Sequence, residues 1–406
     1  MSNKNIWVFR QYSDPPDGHW TNHYDLFREF IKKGYRVTIF SSSFSHFSRK
    51  DERLEKDEIV KEKYYGGIRF LFIKTTPYYN NNWRRFANFF SYSWRALRIG
   101  INDSEKPDII IGCTPHPLGA YVGWYISVKR GARYFFEVHD LWPQFFVELG
   151  AYRNWHPMVI GLRWLEKFLA NKSEYILHLW TNMNTYFKEQ GIEESKCIWM
   201  PMGLNCENMI ENPINSIKDD SKFNVMYRGR FGRTQDMDTI LKAAGILQND
   251  KKSNVCFIIV GEGPELIELK EKVFEMKLRN IVFRKFKPKE EMLNDMGTAD
   301  LLLGSLPNLP HFKKYGMIST KLIDYLSSNR PIIFCASVED HLIIRSKAGF
   351  LVPSQDSVSL SNTIKKVEKM NTDQRKIMGE NGLNYLKNNH DVRILANRLE
   401  KLFNKF

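Results

Sequence analysis

The sequence predicts an α/β protein of two doubly wound domains, from three features. Short apolar runs alternate with amphipathic helical segments in both halves, the order strand, loop, helix, strand that winds a parallel sheet. The 406 residues are too many for one small core and fit two domains of about 200 residues each. Between the halves, residues 206–222 read CENMIENPINSIKDDSK, polar, Pro-containing and aperiodic, the pattern of a linker. The expected domains are therefore 1–205 and 223–388, with a closing helix in 389–406. In doubly wound folds ligands sit at the carboxyl ends of the strands, so residues just after each strand are the functional candidates.

In the first half, Ile6-Trp7-Val8-Phe9 is a buried-type strand running into a loop that contains Pro15-Pro16-Asp17-Gly18-His19. Tyr24, Phe27, Phe30 and Ile31 recur at helical spacing, and Gly34 ends that helix before the strand from Arg36 to Phe40. His19 faces the ligand side of the loop and equally fits a loop-to-helix cap. From Trp83 to Arg98 the chain reads WRRFANFFSYSWRALR, with no acid. On a helix, Trp83, Phe86, Phe90 and Leu97 share one side, and Arg84, Asn88, Ser91, Arg95 and Arg98 the other. Such a helix suits an anionic membrane interface, and it equally suits packing on its own domain with solvated arginines.

The apolar strand before Cys113 ends in Thr114-Pro115-His116-Pro117, which puts His116 at the ligand-facing edge. A helix from Leu118 to Lys129 and a strand from Tyr134 to Val138 lead to His139-Asp140-Leu141-Trp142-Pro143, where Asp140 also suits an Asx cap. Helices near Met158–Ala170 and Asn182–Gln190, with a strand at Tyr175–Leu179 between them, close this half.

In the second half, the strand from Phe223 to Tyr227 leads to Gly229, Arg230, Gly232 and Arg233. Glycines let the backbone approach a diphosphate, and a guanidinium can neutralise its charge. The strand from Val255 to Val260 ends in Gly261-Glu262-Gly263-Pro264, short of a full Gly-x-Gly-x-x-Gly fingerprint. After strands near Asn280–Phe286 and Ala299–Leu303, with a helix at Lys289–Met296 between them, a polar loop to Tyr315 delivers the chain to GMISTKLIDYLSSNRP, Gly316 to Pro331. Here Ile318, Leu322, Tyr325 and Leu326 can pack inward while Lys321 and Asp324 share a neighbouring face. Ser319 and Thr320 at the helix start offer hydroxyls and backbone N–H groups, the makings of a phosphate site. Asp236-Met237-Asp238 falls at a helix start, where acids are ordinary, and is not read as a metal site. Helices near Val358–Met370, Asp373–Asn388 and Val392–Phe406 finish the chain.

The segments Gly229–Arg233, Gly261–Pro264 and Thr320–Tyr325, with Glu137-Val138-His139-Asp140-Leu141-Trp142-Pro143 before them, resemble the family 4 glycosyltransferases over nearly the whole chain. Within that family the pattern is most similar to the bacterial branch that adds sugars such as N-acetylfucosamine to surface polysaccharides. Its helix reads Ser-Lys-x-x-Glu-Tyr, and Thr320-Lys321-Leu322-Ile323-Asp324-Tyr325 stands in that place. The resemblance implies the GT-B fold, two Rossmann-like domains with an interdomain cleft, in which the first takes the acceptor, the second takes the nucleotide sugar and the last helix returns to the first. It also implies a retaining transferase, independent of metal and with no cofactor beyond its nucleotide-sugar co-substrate. The implied donor is a UDP-sugar, and the implied acceptor is lipid-linked or a growing glycan of an O-antigen, capsule or exopolysaccharide.

Carried over by position, Gly18 lies in the loop over the active site, and His139 and Asp140 are the catalytic pair, with His139 contacting the donor sugar near the reacting centre. Arg230, Arg233, Gly263, Thr320 and Lys321 bind the donor phosphates, and Asp324 binds the ribose. His19 and His116 face the acceptor. The chemistry fits, because departure of a nucleoside diphosphate builds positive charge at the anomeric carbon and negative charge on phosphate, both of which polar strand-end groups can stabilise. Two departures stand out: Gln235-Asp236 replaces a common Lys-Gly, leaving Arg233 or Lys321 to supply the second cation, and Gly316 stands where relatives carry a first acid.

A formal charge of +14 implies an anionic partner, and nucleic acid, anionic lipid and nucleotide sugar all qualify. With 43% apolar and 14% aromatic residues the chain is globular. Five scattered cysteines without metal spacing read as core residues of a reducing compartment. No apolar run reaches about 18 residues, so the expectation is a cytoplasmic protein, free or on the inner face of the membrane. Two rival readings stay open, an epimerase of nucleotide sugars with the same fold and a non-catalytic nucleic-acid binder, for which no recognition motif is found.

Overall fold

Both halves wind parallel sheets from short runs of Ile, Val, Leu and Phe buried along their whole length, as strands covered on both faces must be. The computed structural model describes residues 4–17, 21–46, 48–79, 83–148, 150–207, 221–232, 235–286, 289–317 and 319–405. Two compact units result, Met1–Asn205 with His390–Phe406, and Cys206–Asn389. Most of the expected linker lies outside the described residues.

The first unit runs β1 (Asn5–Phe9), α1 (Asn22–Lys32), β2 (Arg36–Ser42), β3 (Val60–Tyr65), β4 (Ile68–Ile73), α2 (Trp83–Asn102), β5 (Ile109–Cys113), α3 (Pro117–Arg130), β6 (Arg133–Val138), α4 (Gln144–Glu148), α5 (Pro157–Lys172), β7 (Tyr175–His178), α6 (Met183–Glu189) and β8 (Cys197–Trp199). Its sheet has the order β3-β4-β2-β1-β5-β6-β7-β8, parallel throughout except for β3. The strand order reverses between β1 and β5, the switch point at which doubly wound sheets open a crevice. The β3–β4 hairpin falls in a stretch where sequence reasoning placed no element. β3 (VKEKYY) is a polar, largely exposed edge strand, and its charged residues hide the strand signal.

The second unit runs β9 (Phe223–Arg228), α7 (Met237–Gln248), β10 (Val255–Val260), α8 (Leu266–Glu275), β11 (Ile281–Arg284), α9 (Lys289–Met296), β12 (Leu301–Ser305), α10 (Pro310–Tyr315), α11 (Thr320–Ser327), β13 (Ile332–Cys335), α12 (Leu342–Ser346), β14 (Gly349–Val352), α13 (Ser357–Glu368) and α14 (Thr372–Asn389). Its six-stranded sheet has the order β11-β10-β9-β12-β13-β14, which is the Rossmann order. The polar loop expected before Gly316 is instead the helix α10, started by Pro310 at its first position.

The closing helix α15 (Val392–Phe403) belongs to the first unit. Leu395, Leu399, Leu402 and Phe403 enter its core beside Phe27, Phe30 and Phe135. Lys4 and Arg133 donate to the carbonyls of Leu402 and Phe403, placing two cations at the negative end of the helix.

The segment from Trp83 is helical as expected, but its faces differ from the expected ones. Asn88, Phe89, Tyr92 and Ala96 turn inward, while Trp83, Phe90 and Trp94 are exposed. Asn88 can be buried because its amide is satisfied: it donates to Thr75 Oγ1 at 2.9 Å and to the Thr76 carbonyl at 2.7 Å, and accepts from Gln11. No described helix is long and apolar enough to cross a membrane. All five cysteines are free thiols, and four of them are buried.

Candidate active site

In the first unit, three strand ends meet at the switch point. Arg10, the residue after β1, is buried and donates from Nη1 to the Thr114 carbonyl at 3.2 Å, beyond the end of β5. The Thr114 hydroxyl accepts from the backbone N–H of His139, beyond β6, at 2.8 Å. The same Arg10 nitrogen lies 2.5 Å from His139 Nε2. Glu137, which points from β6 between two imidazoles, places Oε1 at 2.9 Å from His139 Nε2 and Oε2 at 2.8 Å from His23 Nε2, and accepts from the Cys113 thiol at 3.0 Å.

Burial pushes the His139 imidazole down to about 4, with the Arg10 charge acting in the same direction and Glu137 opposing. Burial likewise lowers His23. On Glu137 burial works against the charge, but the facing imidazoles outweigh it and hold the carboxyl well below its usual range. Both rings are thus neutral at pH 7 beside an ionised carboxylate. A guanidinium only donates and a carboxylate only accepts, so His139 Nε2 serves one of them at a time. Which partner holds it sets whether Nδ1 is a donor or an acceptor.

Among the described residues His23, Glu137 and His139 form the one group whose ligand-type atoms all lie within 4.8 Å of each other. Arg10 argues against a metal there, because it competes for the Nε2 lone pair and would face the ion with its own positive charge. The cluster is better described as a hydrogen-bonded relay around His139. A small pocket beside it is lined by apolar residues, among them Leu26, Phe27, Met200 and Met202, which explains the dry surroundings of the imidazoles.

In the second unit, Lys321 extends from the first turn of α11 to the end of β9. Its Nζ donates to Tyr227 Oη at 2.8 Å and to Gln235 Oε1 at 2.6 Å, and lies 4.0 Å from the centre of the Tyr227 ring. Among the described residues these neutral groups are the contacts of the ammonium. The residue as a whole is half-buried, and burial pushes the amine down to about 7.

Tyr325 fixes the helix that carries Lys321. Its hydroxyl accepts from Arg228 N–H at 2.8 Å and directs its proton toward the carbonyls of Arg228 and Leu303. Arg228 is buried over the ring of Phe286. Burial lowers its pKa, and the Asp324 carboxylate opposes that shift. Glycine at 229 is required by Lys321, since a Cβ there would lie 2.5 Å from Lys321 Cε. Gly261 and Gly263 let the loop after β10 lie against the loop after β9, because a Cβ on them would sit 2.0 Å from Gly229 O and 2.1 Å from Phe231 O. The described part of the unit thus holds Lys321, Arg228 and the exposed Arg230 around one strand end, with Asp324 among them.

Family models match both halves of the chain, Glycosyltransferase Family 4 over residues 17–208 and Glycosyl transferases group 1 over residues 209–385. The chain is a GT-B glycosyltransferase. An uncharacterized glycosyltransferase of Methanocaldococcus jannaschii is 22% identical over 248 residues, 59% of this chain and 60% of the relative. The match therefore spans about three fifths of that relative's length. Sucrose-phosphate synthase of Thermosynechococcus elongatus superposes with a TM-score of 0.74 at 16% identity, over 98% of each chain. Anabaena HepE, in complex with UDP and glucose, does so with 0.67 at 14% over the full length of both. These matches favour transfer over the epimerase and non-catalytic readings.

Within this glycosyltransferase the expected residues fall into five groups. His139, Lys321 and Asp324 lie in the two clusters at strand ends. Arg230, Thr320 and Asp140 are exposed on loops or a helix start beside them, and Ser319 spends no side-chain bond on capping α11. His116 departs from its expected place at an open edge. Its ring is buried and stacked 4.2 Å from Phe89, Nε2 meets Gln11, and Nδ1 caps α3 through Gly119 N–H. Burial pushes it down to about 3, helped by Arg85, so it reads as a structural cap and not an acceptor contact. Gly18, His19 and Arg233 lie outside the described residues. Asp236 caps α7 through Thr239 N–H, and Asp238 pairs with Lys272.

Gly263 is accounted for by the close backbone approach. Arg10, His23, Glu137 and Arg228 were missed by sequence reasoning. A polar residue inside or just after an apolar strand was the available signal for Arg10, Glu137 and Arg228.

Proposed function

We propose that this enzyme transfers a sugar from a UDP-linked donor, with retention of anomeric configuration, to a lipid-linked or growing polysaccharide acceptor of a bacterial surface glycan. The observation that carries the donor assignment is Lys321: a cation at a Rossmann strand end whose described partners are all neutral is prepared for an anionic ligand. UDP and glucose bound to the structurally similar HepE support a UDP-sugar.

In this reading Arg230 and Lys321 hold the diphosphate and stabilise the charge that develops as the glycosidic bond to phosphate breaks. Asp324 accepts from the ribose hydroxyls. His139, held neutral by its surroundings, hydrogen-bonds the donor sugar near the reacting carbon, and no metal takes part. Retention, the surface-polysaccharide branch and an anionic membrane contact through residues 83–98 complete the proposal. Calorimetric titration with UDP-glucose, UDP-N-acetylglucosamine, GDP-mannose and ADP-glucose in EDTA tests it. Saturable binding of a UDP-sugar alone supports the donor class, and binding that needs added magnesium overturns the metal-independent site.

A further inference from the structure

The exposed residues of α2 are continued by those of two further helices. On the face of the first sheet opposite α1 and α15, α2 packs beside α3 and α3 beside α5. Arg130 of α3 ties the end of α2 by donating to the carbonyls of Ile101 and Asp103, both at 2.7 Å. Tyr121 and Trp124 of α3 join Phe168 and Trp164 of α5 in one aromatic cluster, with Trp124 and Phe168 edge to face at 4.7 Å and Trp164 stacked on Phe168 at 5.5 Å.

These helices leave large apolar groups in water. Trp83 is 70% exposed, Phe90 67%, Val128 65% and Trp164 66%. Apolar exposure on such a scale marks a surface that meets something. Charge decides what it meets. The three helices carry nine Lys and Arg and a single acid, Glu166, which is buried and accepts from Tyr186. Cations sit over the aromatic rings themselves, Arg84 over Trp83 and Lys172 over Phe168.

We infer that the α2-α3-α5 face docks on an anionic phospholipid bilayer. Trp83, Phe90, Trp94 and Trp164 enter the headgroup layer, while Arg84, Arg98, Lys129 and Lys167 contact lipid phosphates. Trp is the side chain best suited to that layer, with an apolar body and a polar N–H, and helices that carry nine cations and no exposed acid complement an anionic surface. The surface is thus three helices wide, with α5 as much a part of it as α2. The contact through α2, and its purpose of access to a lipid-linked acceptor, rest on the proposed function; the extension of the surface to α3 and α5 stands on their exposure and charge.

Co-sedimentation of the full chain with vesicles of phosphatidylcholine, with and without phosphatidylglycerol, tests the inference. Binding is expected only to the anionic vesicles. Arg84→Glu with Arg98→Glu should lower the affinity roughly thirtyfold or more. Phe90→Ser with Trp94→Ser on α2, and Trp164→Ser on α5, should each weaken it as well. Phe274→Ser, at an 85% exposed position of the second unit, should leave it unchanged. UDP-glucose titration of every variant reports the donor site separately, so a lost membrane contact and a mistaken donor assignment give different results. Absence of binding to anionic vesicles overturns the inference. So does binding that ignores the α2 and α5 substitutions, or light scattering that shows these residues holding a dimer together.

Discussion

Donor binding should take up a proton at Lys321. In the free enzyme burial holds the amine at about 7, against an ordinary 10.5. A bound diphosphate favours the ammonium and raises that value. The sign follows: below pH 7 the amine is already charged and affinity is at its plateau, and above pH 7 each binding event must first bring a proton. UDP-glucose affinity should therefore fall by up to a factor of ten per pH unit above neutrality, about thirtyfold between pH 6 and 8.5. UDP-glucose is the right probe because its diphosphate has no proton to release in this range.

Calorimetry at pH 8 in two buffers of different ionisation enthalpy should report uptake of nearly one proton. Lys321→Met should abolish both the uptake and the slope. The same reasoning predicts a stability gain. Between about 7 and 10.5 the unfolded chain binds more protons at this site than the folded one, so the free enzyme becomes more stable as pH rises through that window. At pH 7 a shift of this size costs on the order of 4 kcal/mol, less to the extent that this half-buried residue is reached by water. Lys321→Met should thus melt higher than the native enzyme while binding donor worse. A flat affinity profile from pH 6 to 8.5, or a variant that keeps the slope, would refute the reasoning.

Three further substitutions probe the rest of the framework. Glu137→Gln replaces an acceptor shared by two imidazoles with an amide, and should lower turnover about 10- to 100-fold through misplacement of His139. UDP-glucose affinity should stay within about twofold, since Glu137 lies outside the cluster proposed for the donor phosphates, and unchanged turnover in a steady-state assay would remove the relay from the mechanism. Gly261→Ala forces a methyl group to within 2.0 Å of Gly229 O and should destabilise the enzyme by about 3 kcal/mol or more, read as a lowered denaturant midpoint. Asp324→Ala should weaken UDP binding about tenfold as the proposed ribose contact is lost. An unchanged calorimetric constant would show that this acid serves Arg228 alone.

Much of the framework was legible because periodicity and punctuation are local. The strand from Val255 to Val260 is a continuous apolar run, Gly34 ends the first helix with a left-handed backbone, and Leu322, Tyr325 and Leu326 keep helical spacing. Each is decided within about ten residues of chain. The faces of α2 were not decided so. Its helical projection offers apolar residues on two sides, and only the sheet beneath selects Phe89, Tyr92 and Ala96, with Thr75 and Gln11 absorbing the buried Asn88. His116 was misplaced for a similar reason, since being next to a strand end does not say whether a side chain faces out or caps the next helix.

The electrostatics of the two clusters lay further still from sequence reasoning. Arg10 reaches His139 across 129 positions and Glu137 reaches His23 across 114, so no local spacing couples them. Lys321 could be named as the second cation from the missing Lys near position 235. Its environment could not, because that depends on Gln235 filling the place with a neutral amide that accepts from Lys321 itself. In the proposed reading the second charge then comes from the helix, in a drier setting. If that is the compensation, Gln235→Lys should oppose two ammonium groups at one strand end, lower the Lys321 pKa further and move the pH midpoint of donor binding below 7. A midpoint that stays in place would show that Gln235 is only a spacer.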